Sequence, residues 1–130
     1  MGTRSRIACR QPDGSILSIY CHWDGYPTGV GHTLVAKYSN LDTLGRLLAR
    51  GDRSSLEDTP EEGMAYADRG DEDVSAVSYP TRADLSQAES WEEYIYLYEP
   101  DVNQWLCLEM RSGGRGPGAR WFKLHAGSHN

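Results

Sequence analysis

The segment that decides the fold is Gln11-Pro12-Asp13-Gly14-Ser15. Pro12 supplies the fixed φ of a type I turn, and Gly14 supplies the positive φ of the bulge that follows it. This turn opposes Gln11 to Ser15, so the numbers of paired residues in the hairpin add up to 26. A two-residue Asp-Gly turn would shift the pairing by one residue and put the apolar side chains of the two strands on opposite faces.

The bulged register sorts the hairpin into an apolar face and a polar face. Ile7 then lies opposite Ile19, and Cys9 lies opposite Leu17. The face predicted to enter the core holds six residues: Ile7, Cys9, Leu17, Ile19, Cys21 and Trp23. The outer face holds Arg4, Arg6, Arg10, Tyr20 and His22, with Arg6 opposite Tyr20 at a distance suited to a cation–π contact.

Helical and strand patterns follow the hairpin along the chain. Leu34 and Tyr38 are at helical spacing, and Asn40 is a cap for a second helix. The buried stripe predicted for that helix is Leu41, Leu44, Leu47 and Leu48, with Gly51 as its end. Short strands are predicted in 64–68, 74–79, 94–98, 104–109 and 121–124, and a third helix in 82–90. The fold class is therefore α+β: an antiparallel β-sheet of about four to six strands with two or three short helices packed on one face.

The 130 residues suit one domain, spanning 1–130 with its core in about 5–110. A Gly/Arg-rich loop, 111–120, is expected to be flexible. The three cysteines, Cys9, Cys21 and Cys107, show no metal-ligand spacing, so we expect reduced thiols in a cytoplasmic protein with no metal and no cofactor. No apolar run is long enough for a membrane helix.

Charge is concentrated in the middle of the chain. Segment 52–93 holds thirteen acidic residues against three arginines, a net charge of −10 in a chain whose net charge is −6. Such a segment disfavours direct nucleic-acid binding and suits a basic protein surface, although acidic residues also simply keep a protein soluble. The residues predicted to contact a partner are Glu57, Asp58, Glu61, Glu62, Asp68, Asp71, Glu72 and Asp73, together with the strand tyrosines Tyr94, Tyr96 and Tyr98.

The three tyrosines share one side of the later hairpin with Trp105 and Cys107. If that side continues the arginine-bearing face of the first hairpin, the sheet presents a basic and aromatic platform. A partner protein, a nucleotide or single-stranded nucleic acid would fit such a platform. A solvated face that is partly covered by the acidic segment is the alternative.

A second hypothesis rests on the ring-rich segment 20–32, which combines five aromatic or imidazole rings with three glycines and a proline. Histidine and aspartate side chains can position or exchange a proton, and a glycine loop before a helix can bind an anion. The chain would then be a small enzyme or a nucleotide- or anion-binding protein using Arg6, Tyr20, His22, Asp24, Tyr26, Gly29, Gly31 and His32. The lysine and spacing of a phosphate-binding P-loop are missing, so the glycines equally suit a simple helix start.

The chain resembles a family of small uncharacterised phage, prophage and bacterial proteins. The resemblance rests on Met1-Gly-Thr-Arg-Ser-Arg-Ile7, Tyr20-Cys-His-Trp-Asp-Gly-Tyr-Pro27, Gly29-Val-Gly31 and Tyr94-Ile-Tyr-Leu97. It covers most of the chain up to Met110, and it carries over no catalytic residue. It implies an accessory protein of a mobile element that acts in the cytoplasm of a bacterial host. By analogy, the leading hypothesis is a non-enzymatic protein that binds a host protein, for example an anti-CRISPR-like inhibitor of a nucleic-acid-binding defence complex.

Overall fold

The computed structural model describes residues 3–72, 74–87, 92–111 and 113–124. Within them, six strands form one sheet: β1 (Ser5–Arg10), β2 (Ile16–Cys21), β3 (Val77–Tyr79), β4 (Tyr94–Glu99), β5 (Gln104–Glu109) and β6 (Phe122–Leu124). The helices are α1 (His32–Lys37), α2 (Leu41–Ala49) and α3 (Arg82–Gln87). The predicted α+β class is confirmed. Within the described residues, no helix combines the length and the apolar character needed to cross a membrane.

The β1–β2 hairpin has the predicted register. Ile7 pairs with Ile19, Cys9 with Leu17 and Arg6 with Tyr20. At the turn, the Gln11 amide donates to the Ser15 carbonyl at 2.7 Å. Gly14 has a φ of +91°, as the bulged turn requires.

Replacing Gly14 with Ala is expected to lower the free energy of unfolding by about 1 kcal/mol, because only glycine adopts this φ without strain. A Cβ at this position would meet no atom within 4 Å, so the loss would come from the backbone alone. Urea denaturation measures it. The matched control is Gly45→Ala in the middle of α2, where a Cβ also meets no atom within 4 Å and the helical backbone favours alanine. A Gly14→Ala protein as stable as Gly45→Ala would contradict the turn assignment.

The sheet is mixed, in the order β3-β2-β1-β4-β5-β6. The prediction of a wholly antiparallel sheet is wrong at its centre, where β1 and β4 pair in parallel with Ile7 beside Tyr96 and Cys9 beside Tyr98. A parallel pair needs a long crossover connection, and the chain between β2 and β4 provides it. This pairing puts the β4 tyrosines on the apolar face of the first hairpin.

Both faces of the sheet are covered. The first face lies under α1 and α2. The core between them includes Ile7, Ile19, Tyr96 and Trp105 of the sheet, Leu34 of α1 and Leu47 of α2. The second face packs Ala8, Ile16, Ile95 and Leu97 against Leu85 of α3. The expectation that all helices lie on one face is therefore wrong for α3. The three cysteines are free and buried on the first face.

Two local expectations also change. Asn40 caps α2 as predicted, accepting from the Thr43 amide at 2.8 Å, but Leu41 is 56% exposed and does not belong to the buried stripe. In 64–68, Ala65 forms a single bridge with Arg53, and a 3₁₀ turn over Tyr66–Arg69 follows instead of a strand.

The Gly/Arg-rich loop is anchored where the structure describes it. The Gly116 amide donates to the Ser86 hydroxyl of α3 at 2.7 Å, and Gly116–Gly118 forms a 3₁₀ turn. Beyond this loop, β6 adds Leu124 to the first face, so the core extends past residue 110.

Candidate interaction surface

The ring-rich segment folds into a tight loop that is tied to β4 and to the chain before β1. The Gly25 amide donates to the Thr3 carbonyl at 2.8 Å, and the Tyr96 hydroxyl donates to the Gly25 carbonyl at 2.6 Å. The Val30 amide donates to the Asp24 carbonyl at 2.8 Å and closes the loop. A Cβ on Gly25 would lie 2.7 Å from the Thr3 carbonyl oxygen, so this close approach requires glycine. We call residues 22–31 the ring loop.

Replacing Tyr96 with Phe is expected to lower the free energy of unfolding by about 1–2 kcal/mol, because the Gly25 carbonyl would lose its buried donor. Tyr96 is fully buried, and burial raises the pKa of its hydroxyl so strongly that the hydroxyl stays protonated and donating. The control is Tyr26→Phe, which removes an exposed hydroxyl bonded to Asp24 at 3.1 Å and should cost about 0.5 kcal/mol or less. Equal denaturation midpoints for the two variants would show that Tyr96 does not hold the ring loop.

The ring loop presents two aromatic side chains to solvent. Trp23 is 44% exposed and Tyr26 is 40% exposed. The prediction that Trp23 enters the core is wrong, because β2 ends at Cys21 and Asp24 turns the chain with a φ of +58°. The alternation of the strand therefore stops before residue 23. The imidazole of His22 packs edge-on against the Trp23 indole, with 4.7 Å between ring centroids, and helps to fix the indole's orientation.

His22 and Asp24 hydrogen-bond to different tyrosines. His22 Nδ1 is 2.9 Å from the Tyr20 hydroxyl, whereas Asp24 Oδ1 accepts from the Tyr26 hydroxyl. His32 is exposed at the start of α1. Both His22 and Asp24 lie in the ring loop, beyond the end of β2. No group of three His, Cys, Asp or Glu residues suited to a metal ion occurs among the described residues.

The glycines of the ring loop prepare the start of a helix. Pro27–Gly31 forms a π-type turn that runs directly into α1. A Cβ on Gly31 would lie 3.1 Å from the Tyr96 ring, so this glycine lets the turn pack on the sheet. These contacts match the interpretation in which the glycines serve the start of a helix and do not bind an anion.

The acidic loop 52–65 is built around a fully buried arginine. Arg53 has no exposed surface, and its guanidinium donates to three backbone carbonyls, those of Ser55, Pro60 and Glu62. Among the described residues no carboxylate forms an ion pair with it, and burial lowers the pKa of this guanidinium. Its charge is therefore satisfied by the loop backbone, which must wrap around it.

Backbone hydrogen bonds join the acidic loop to the ring loop. The His22 amide donates to the Arg53 carbonyl at 3.1 Å, and the Trp23 amide donates to the Ser54 carbonyl at 2.9 Å. The Ser54 amide then donates to the Met64 carbonyl at 2.9 Å. Trp23, Ser54 and Met64 thus lie on three adjacent backbone segments, and Met64 is 48% exposed. We call the exposed side chains of Trp23, Tyr26 and Met64, taken together with the exposed carboxylates of the acidic loop, the Trp23 surface.

The acidic residues predicted to contact a partner are exposed wherever the structure describes them. Seven qualify: Glu57, Asp58, Glu61, Glu62, Asp68, Asp71 and Glu72; Asp73 lies outside the described residues. Arg46 pairs with Glu61 at 3.0 Å, and Arg50 pairs with Asp68 at 2.6 Å. Glu57, Asp58 and Glu62 form no ion pair with any described residue, so the acidic loop keeps a negative surface.

The other face of the first hairpin is not a basic platform. The Arg6 guanidinium donates to Glu92 at 3.0 Å and to the Ser18 hydroxyl at 2.8 Å, and this ion pair is buried. Arg10 donates to both carboxylate oxygens of Glu99, at 3.1 and 2.9 Å. The register predicted for Arg6 is right, but its charge is neutralised within the fold.

The β4 tyrosines are not a partner-binding face either. Tyr96 and Tyr98 are buried in the first core, and Tyr94 packs against that core. Their prediction as contact residues is wrong for Tyr96 and Tyr98, because parallel pairing with β1 turns them under α1 and α2.

The buried thiols are poor nucleophiles. Burial raises the pKa of Cys9 to about 11 and that of Cys21 to about 12. Because the thiolate is the reactive form, these residues act as small apolar side chains.

Comparison of the chain with protein-family models, with curated proteins and with solved structures gave no match in any of the three. The sequence did not predict the exposed Met64 or the buried Arg53 that supports the acidic loop. The only local signal for Arg53 was a basic residue isolated in an acidic segment.

Proposed function

We propose that this chain is a non-enzymatic phage or prophage accessory protein that binds a basic surface of a host protein in the bacterial cytoplasm. The observation that carries the proposal is the hydrogen-bonded junction of the ring loop and the acidic loop. It places exposed Trp23 and Met64 on the two segments that flank Ser54, in the same junction as a loop that carries exposed carboxylates.

The composition of the Trp23 surface resembles that of known protein interfaces. Aromatic and methionine side chains are enriched at interface centres, and charged groups at the rim favour partners of opposite charge. The buried Arg53 reduces the conformational freedom of the acidic loop before binding, which lowers the entropic cost of association.

The class of partner follows from charge. A host protein with a basic surface, such as a nucleic-acid-binding component of a defence complex, would be attracted to the carboxylates and covered by the apolar side chains. The chain would then act stoichiometrically, by occupying the surface that the host protein uses for nucleic acid.

The proposal is tested by capturing proteins from a bacterial lysate with the intact chain. Reversing three acidic residues that form no ion pair with described residues, Asp58→Lys, Glu62→Lys and Glu72→Lys, is expected to abolish capture at physiological salt. Duplex DNA added to the captured complex is expected to release the partner, because both compete for one basic surface.

The matched control is Asp24→Asn, which removes one carboxylate of the ring loop and keeps a residue that tolerates a positive φ. It should leave capture unchanged. If capture survives the triple reversal, or is lost only in Asp24→Asn, the acidic surface does not bind the partner. Either result would favour a ligand site in the ring loop.

A further inference from the structure

A second feature is an apolar groove on another side of the molecule. It lies between the β1–β2 turn, α2 and the turn after β4, and has a volume of about 690 Å³. Its apolar lining consists of Pro12, Leu17, Leu41, Leu48, Ala49 and Pro100. The size is that of a site for a ligand or for the apolar side chains of a partner.

The α2 side of the groove is open to a close approach. Leu41, Gly45 and Ala49 recur at intervals of four residues and therefore lie on one helix face. Leu41 is more than half exposed, and a Cβ on Gly45 would meet no atom within 4 Å. The helix backbone is bare at this point, so another backbone can pack directly against it.

The charge that remains at the groove is negative. Arg10 is the only basic residue of the lining, and its guanidinium is already bound to Glu99 and to the Gly14 carbonyl. Asp101, also in the lining, is exposed and forms no ion pair with any described residue. A cationic group bound beside the apolar lining would therefore find a carboxylate with no competing partner.

We propose that this groove binds a basic amphipathic helix of a partner protein. Apolar side chains of that helix fill the groove over Leu17, Gly45 and Leu48, and a lysine or arginine reaches Asp101. A second copy of this chain is a poorer occupant, because each copy carries a net charge of −6 and would bring like charge to the groove.

The probe is a fluorescently labelled helical peptide of about 18 residues made of leucine and lysine, compared with a leucine–glutamate peptide of the same pattern. Fluorescence anisotropy with the full chain is expected to show binding of the lysine peptide only. Gly45→Leu fills the groove and is expected to weaken binding by about tenfold or more, while Asp101→Asn weakens it several-fold.

Two controls accompany these variants. One separates the groove from the Trp23 surface, and the other shows whether the Gly45→Leu protein is folded. Asp58→Asn makes the same charge change on the acidic loop and should alter the affinity by about twofold or less. Gly45→Leu should unfold at or above the wild-type temperature, since the site is open and leucine favours a helix. Equal binding of both peptides, or wild-type affinity in a folded Gly45→Leu protein, would overturn the proposal. Sedimentation showing a wild-type dimer that Gly45→Leu dissociates would overturn it in favour of self-association.

Discussion

Replacing Arg53 with Met is expected to lower the free energy of unfolding by about 3 kcal/mol. Methionine fills the buried site with a side chain of similar length but donates no hydrogen bond. The carbonyls of Ser55, Pro60 and Glu62 therefore lose their donor. In a chain of this length, that loss corresponds to a fall in unfolding temperature of roughly 10 °C. Urea denaturation and thermal unfolding followed by circular dichroism measure both quantities.

The same substitution at Arg46 is the control. Arg46 is exposed on α2, where it pairs with Glu61 and Asp42, and exposed ion pairs contribute little to stability. Arg46→Met should therefore cost about 0.5 kcal/mol or less. If the two variants unfold at the same urea concentration, the acidic loop does not depend on the buried guanidinium.

Replacing Trp23 with Ala is expected to weaken capture of the host partner by about 10- to 100-fold while leaving the fold intact. An indole at the centre of an interface commonly contributes this much, and a side chain exposed by nearly half contributes little to the core. Titration of the captured partner by calorimetry or anisotropy gives the affinity, and thermal unfolding gives the stability.

Phe122 offers a matched control for the loss of an exposed aromatic ring. It is 42% exposed on β6, at the sheet edge opposite the hairpin that leads into Trp23. Phe122→Ala should leave the affinity unchanged. A Trp23→Ala protein that binds as tightly as Phe122→Ala would place the contact elsewhere.

Local rules predicted the local structure of this chain. The Pro12–Gly14 turn set the hairpin register, because only one register put Ile7, Cys9, Leu17 and Ile19 on one face. Asn40 and the leucines that follow it marked α2, since capping and helical spacing are properties of a few neighbouring residues.

Long-range pairing determined what local rules could not. Alternation assigned Tyr94, Tyr96 and Tyr98 to one side of their strand, but only the parallel pairing of β4 with β1 decided that this side is the core. The same topology covered both faces of the sheet and brought Glu92 and Glu99 to Arg6 and Arg10, whose charges they neutralise.

The candidate surface was predicted in part. The exposed acidic residues follow from their charge, which keeps carboxylates in water. Their connection to Trp23 through Ser54 does not follow, because it depends on a bridge between Cys21 and Arg53 that joins distant parts of the chain.

The ring loop and the acidic loop are joined as one structured surface around Arg53. Native-state hydrogen exchange measures this order at the His22 and Trp23 amides, which donate across the junction, and at the Ser54 amide, which donates to the Met64 carbonyl within the acidic loop. We expect these amides to exchange as slowly as those of β1, and we expect Arg53→Met to release them while β1 stays protected. Exchange of the junction amides in the wild-type protein at the rate of an exposed loop would contradict it.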